Sequence, residues 1–212
     1  MISRLQKRIL QQLNNTCQRL LLPNVNLETN DINKKENIKI DDKQNDSTKI
    51  VKNINQNFNI DDDGFVSVYT DGSCSFNGLQ NAKAGIGVWF GQNHPLNVSE
   101  PIFGRSTCNV AEIMAVTKAV NVAKEAGIKK LRIYTDSKFV VQSVTTWMPK
   151  WKINGWKGSK KKPVINKNEL ITLDEALKSI EVSWIHVSSH SGIHGNEMAN
   201  LLAKEGIETT VI

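Results

Sequence analysis

The chain has 212 residues, room for one domain of ordinary size with an extension but cramped for two. Its formal charge of +6 is uneven: residues 64–212 carry 17 basic and 12 acidic side chains, whereas residues 1–63 carry 10 and 9. No apolar run approaches the length of a membrane span and no secretory h-region is present, which argues against a membrane partner. A cationic folded part suits a polyanion, or simply solubility. Cys17, Cys74 and Cys108 are odd in number and lack CxxC or other ligand spacing, so a reducing compartment is the simple inference.

Residues 1–23 begin with MISRLQKRILQQLNNTCQRLLL, basic and free of acid, with Ile2, Leu5, Ile9, Leu13 and Leu20 near one helical face. Two readings stay open, a mitochondrial transit peptide and a short amphipathic partner helix. Localisation is accordingly expected to be mitochondrial or nuclear. Residues 24–63 form an Asn-, Asp- and Lys-rich tract with too few large apolar side chains to offset ordering entropy, and are expected to be a disordered linker. The folded domain is assigned to residues 64–212.

Within it FVSVYT, from Phe65, alternates as a strand, and DGS after it reads as a turn. AKAGIGVWFG and PLNVSEPIFG complete an antiparallel meander, with Asn93, His94 and Pro95 between them. From Ala111 the apolar period lengthens: Ile113, Val116, Val120 and Ala123 predict a helix that stops at Gly127. LRIYT is a further strand, followed by Ser137 as the cap of a helix running to about Trp147. Leu170, Leu173, Leu177 and Ile180 mark another helix, EVSWIHV a strand, and Asn196 to Glu205 a last helix. Three strands and then alternating helix and strand predict an α/β fold, a mixed five-stranded sheet with helices on both faces.

Element ends are where acidic side chains converge on one point. Asp71 closes a strand, Glu112 opens a helix, and Asp136 closes another strand. Singly, each is an ordinary cap or surface acid. As a set they suit two Mg²⁺ ions about 4 Å apart, which need several carboxylates to offset their charge. Residues 147–163, WMPKWKINGWKGSKKKP, interleave Trp147, Trp151 and Trp156 with six lysines. Such aromatics are core in most proteins, but cation beside ring also grips a nucleic-acid backbone. His190 and His194 have a zinc-like spacing, yet no cysteine pair accompanies them.

The order TDGS, AE opening a helix, YTDS, HSGIHGNEMAN and LLAKEG resembles type 1 ribonuclease H of the eukaryotic kind across roughly residues 65–207. The resemblance implies a ribonuclease H-like fold and an endonuclease that cleaves the RNA strand of RNA/DNA hybrids. It further implies two Mg²⁺ ions, with Mn²⁺ as substitute, and a monomer. Asp71 would bridge both metals, Glu112 and Asp136 would hold the one on the leaving-group side, and position 200 would help hold the one that activates water. His190 would assist proton movement and product release. Phe139, Trp147 and Trp151 would flank a DNA-strand channel, with Arg105, Thr107 and Asn166 as a DNA-phosphate pocket. Cys74 and Asn77 would touch the RNA strand near its 2′-hydroxyls.

The chain departs from that pattern in three places. Where the family reads Thr-Asn-Asn/Gln-Arg before Ala-Glu, this chain has Thr107, Cys108, Asn109 and Val110, so Asn109 keeps its amide and Cys108 does not. The family's small N-terminal hybrid-binding domain has no counterpart before residue 64, which implies poor processivity. The fourth catalytic carboxylate is an amide, Asn200, which implies weakened catalysis, or alternatively a hybrid-binding protein with impaired catalysis.

Overall fold

The computed structural model describes residues 58–76 and 82–209. The transit-peptide segment, most of the linker and Asn77 lie outside them. Five strands form one sheet in the order β3-β2-β1-β4-β5. β1 (Val66–Ser75), β2 (Lys83–Trp89) and β3 (Val98–Ile102) make the antiparallel meander, while β4 (Lys130–Thr135) lies parallel to β1 and β5 (Glu181–His186) parallel to β4. The helices are α1 (Cys108–Glu125), α2 (Lys138–Gln142), α3 (Met148–Ile153), α4 (Lys167–Leu177) and α5 (His194–Glu208), with a π-helical turn, Ser143–Trp147, joining α2 to α3. The mixed sheet is as the sequence predicts, and no helix among the described residues is long and apolar enough to cross a membrane.

One sheet face carries the main core. Val68, Val88, Leu131 and Ile133 pack against Ile113, Val116 and Val120 of α1 and Leu170 and Leu173 of α4, all of them shielded from water. At roughly 1.5–3 kcal/mol for each large apolar side chain, this burial supplies most of the force that orders the sheet. On the other face α5 lies across β1, β2 and β3. It comes close enough that a Cβ on Gly87 would collide with the carbonyl of Ala199. A second close approach joins β1 to α1: a Cβ on Gly72 would meet the backbone of Ala111 and Glu112.

Three local expectations need correction. Asp71, Gly72 and Ser73 are not a turn but the middle of a ten-residue strand, because they pair in register with Gly87, Ile86 and Gly85. Asp71 therefore sits within β1 rather than at its end. The helix expected to stop near Trp147 runs on to Ile153 through the π turn, where the amide of Met148 reaches the carbonyl of Ser143. Pro149 has no N–H to give and would clash in a regular ladder, so a widened turn just before it relieves the conflict. Third, residues 58–63, which composition assigns to the linker, pack on the domain. Phe58 lies against Phe90 and His94, Ile60 bridges to Val66, and Asp61 and Asp63 pair with Arg132 at 2.7 and 3.2 Å. The sequence signal was hidden because two aromatic or apolar residues amid Asn and Asp do not change a composition average.

The remaining helix ends follow local chemistry. Thr107 caps α1 through its side chain, accepting from the amide of Val110 at 3.3 Å, so the helix starts three residues before the apolar period does. At the other end Gly127, with φ +81°, sends its amide to Lys124 while Ile128 sends its own to Ala123. Ser137 caps α2 in the same manner, through the amide of Val140.

Candidate active site

Asp71, Glu112 and Asp136 come together, each offering a carboxylate oxygen within 4.8 Å of the others. Strand pairing explains two of them: Thr70 lies beside Thr135 in the parallel β1–β4 ladder, so the residues that follow are level. Glu112, in the second turn of α1, is brought in by the close approach at Gly72. Asp71 is buried and the other two are half-buried.

Crowding of three acids has an electrostatic cost. Burial, followed by the charge of Asp136, pushes the carboxyl of Asp71 up to about 6. Burial and then the charges of Asp71 and Asp136 hold Glu112 well above the usual carboxylate range. One Glu112 oxygen, Oε2, is buried with no hydrogen-bond partner. An orphaned acceptor beside two more acids is the donor set of a hard divalent cation, whose charge would relieve the repulsion. The residues present fit such an ion.

Around this centre the expected residues differ in their access to solvent. Asn200 is half-buried on α5, one turn after Asn196 and next to the Ala199 carbonyl that abuts Gly87. His190 lies in the exposed β5–α5 loop with φ +50°. Arg105 and Asn109 are exposed, Thr107 is occupied as a cap, and Asn166 is buried at the start of α4, its Oδ1 unpartnered. Phe139, Trp147, Trp151 and Trp156 form a continuous row of half-buried rings, centroids 6.1, 5.7 and 6.4 Å apart. Phe139, Trp151 and Trp156 also pack on the core, so the row is both structural and surface-reaching.

Beyond the row, the chain folds back through a bridge between Lys157 and Pro163 and presents exposed Lys160, Lys161 and Lys162 at its tip. Lys152 does not join them. Its Nζ pairs with Asp174 at 2.9 Å, which sets it apart from the free cations of this region.

Two features escape a reading of the sequence. Asn196, almost wholly buried, donates its side-chain amide to Oδ2 of Asp136 at 3.1 Å. Its position one helical turn before Asn200 was the available signal. The other is a disulfide between Cys74 and Cys108, whose 34-residue separation gives no spacing cue. It occupies the sulfur of Cys74 expected to face RNA.

The sequence profile named RNase H matches residues 63–208. Ribonuclease H1 of Rattus norvegicus is 50% identical over 141 residues, 66% of this chain and 50% of the relative. Ribonuclease H of Stutzerimonas stutzeri strain A1501 is 39% identical over 145 residues, 68% of this chain and 93% of the relative. Among solved structures, the PFV RNase H domain is 30% identical with a TM-score of 0.55, covering 68% of this chain and 94% of that one. The chain thus carries a three-carboxylate centre on a five-stranded mixed sheet, and it belongs to the RNase H family. It spans about half the length of the mammalian relatives it matches.

Proposed function

We propose that this chain is an endonuclease that hydrolyses the RNA strand of RNA/DNA hybrids. The observation that carries the reading is the convergence of Asp71, Glu112 and Asp136 within 4.8 Å in a chain of the RNase H family. Those three, with the side-chain oxygen of Asn200, would hold two Mg²⁺ ions, Mn²⁺ substituting. Bound there, the ions would supply a water acidic enough to attack phosphorus at neutral pH, together with charge to offset that on the departing oxygen.

The chain's own groups account for the other requirements. Asn196 fixes the rotamer of Asp136, and His190 on its exposed loop is free to carry a proton toward solvent. Arg105, Thr107 and Asn166 form the DNA-phosphate pocket, and the ring row from Phe139 through Trp147 to Trp151 flanks the DNA strand. Asn77 and Asn109 read the RNA side. The lysines at 160–162 add a sequence-independent grip on phosphate. The chain acts as a monomer, in mitochondria or the nucleus, with the folded domain as its catalytic part.

Asn200 favours a second reading, a hybrid-binding protein with impaired catalysis, because an amide offers an oxygen without the charge a hard cation prefers. Cleavage of a hybrid labelled on its RNA strand, in Mg²⁺, in Mn²⁺ and in chelator, separates the two. Metal-dependent products with 5′-phosphate and 3′-hydroxyl ends support the enzyme. Binding without products in either metal supports the alternative.

A further inference from the structure

Of the six phenylalanines, four pack: Phe65 and Phe90 are buried, and Phe58 and Phe139 lie half-buried against the core. Phe76 and Phe103 do not, at 67% and 77% exposed, and they stand at one edge of the sheet. β1 ends at Ser75, which pairs with Lys83 at the start of β2, and β3 ends at Ile102, which pairs with Ala84. Each ring therefore follows the last residue of a strand, with exposed Lys83 on the strand between them.

Two further observations mark this edge as a place for a ligand. Phe76 holds a left-handed backbone, φ +53°, which is unfavourable for a bulky side chain and is not offset here by burial of the ring. Among the described residues, neither phenyl ring meets another aromatic ring, and Lys83 makes no ion pair. Open rings beside an open cation suit bases and phosphate together. A base inside a duplex has both faces covered by its neighbours, so these rings can stack only on bases that have left the pairing. Strands two apart in a sheet lie about 10 Å from each other, so neighbouring nucleotides of one strand can reach both rings.

The strand concerned follows from position. Asn109, exposed at the start of α1, reads the RNA side in the hybrid reading given above. Its neighbour Cys108 lies 5.1 Å, Cα to Cα, from Cys74, two residues before Phe76, so this end of β1 continues the RNA-facing surface. We propose that Phe76 and Phe103, with Lys83 between them, form a stacking site for unpaired bases of the RNA strand where it leaves the hybrid. The inference rests on the hybrid reading.

The test uses the full chain and fluorescence anisotropy in Ca²⁺, which holds cleavage off. Five probes share one duplex: a blunt RNA/DNA hybrid, the same hybrid with four unpaired nucleotides at the 5′ or the 3′ end of its RNA strand, one with a like tail on its DNA strand, and one whose RNA-strand tail is abasic. An RNA-strand tail at one end is expected to tighten binding about tenfold over the blunt hybrid, and the abasic tail to give little of that gain. Phe76→Ser with Phe103→Ser should remove the gain and leave affinity for the blunt hybrid as it is, whereas Phe76→Tyr with Phe103→Tyr should keep it. Equal affinity for blunt and RNA-tailed hybrids, an undiminished gain from the abasic tail or in the double serine variant, or a gain no larger for the RNA tail than for the DNA tail overturns the proposal. Failure of the wild type to bind even the blunt hybrid overturns the hybrid reading itself and this inference with it.

Discussion

The side-chain amide of Asn196 donates to Oδ2 of Asp136 across 3.1 Å, tying the first turn of α5 to the end of β4. An acid that must accept from a cation on one side is held on the other by a neutral donor that leaves its charge intact. Asn196→Ala should lower divalent-cation affinity about tenfold, roughly the 1.4 kcal/mol expected of one hydrogen bond to a charged acceptor. Isothermal titration with Mn²⁺ reads it directly. Undiminished affinity would make the contact incidental.

The carboxylate centre also predicts how stability depends on pH without metal. Asp71 titrates at about 6 in the fold against an ordinary 3.8, and Glu112 is shifted the same way. A raised folded-state value means that protons bind the fold more tightly than the unfolded chain. The stabilisation from Asp71 is complete below about pH 4 and is lost as pH rises through about 6. Metal-free protein should thus lose a few degrees of melting temperature between about pH 5 and pH 7.5, a loss that Asp71→Asn reduces. Added Mg²⁺ should restore it, with little gain at the acid end. A flat metal-free profile would mean that the three acids do not repel one another as their spacing implies.

Much of this site was legible because each acid sits in a short motif whose neighbours fix its element. Asp136 follows a β-rich run, and Glu112 precedes a helical apolar period. What was not legible depends on contacts distant in sequence. DGS looks like a turn in isolation and becomes strand only because Gly85, Ile86 and Gly87 pair with it. Cys74 and Cys108 meet because Gly72 allows β1 to lie on α1, and Asn196 reaches Asp136 from 60 residues away. The boundary at residue 64 failed for the same reason, since Phe58, Asp61 and Asp63 find their partners in β4 and the β2–β3 connection.

That boundary gives a stability prediction. A fragment of residues 58–212 should melt about 5 °C above one of residues 64–212, because the shorter piece lacks the Phe58 ring and both carboxylates on Arg132. Differential scanning calorimetry of the two fragments decides it. Equal melting temperatures would assign those residues back to the linker.

The lysine hairpin should reveal itself through salt. Glutamate at positions 160, 161 and 162 should weaken hybrid binding and reduce the slope of log affinity against log salt by roughly one for each phosphate that is no longer neutralised. Lys152→Ala should leave that slope alone and lower stability slightly, since its ammonium already pairs with Asp174. A slope unchanged by the triple variant would mean that these cations are merely solvated.

Position 200 bears most directly on the two-metal assignment. An amide there supplies oxygen but no charge, so restoring the carboxylate should strengthen the hold on the cation that activates water. The decisive measurement is Mg²⁺-dependent cleavage of an RNA/DNA hybrid by the wild type, Asn200→Asp and Asp71→Asn, with a parallel series in Mn²⁺. Asn200→Asp should cleave at least about tenfold faster in Mg²⁺, a barrier lowered by roughly 1.4 kcal/mol. Mn²⁺, more tolerant of neutral ligands, should narrow the gap, and Asp71→Asn should abolish turnover in both metals. An Asn200→Asp rate no higher than wild type, or an Asp71→Asn variant that cleaves normally, would contradict the assignment of these carboxylates to a two-metal centre.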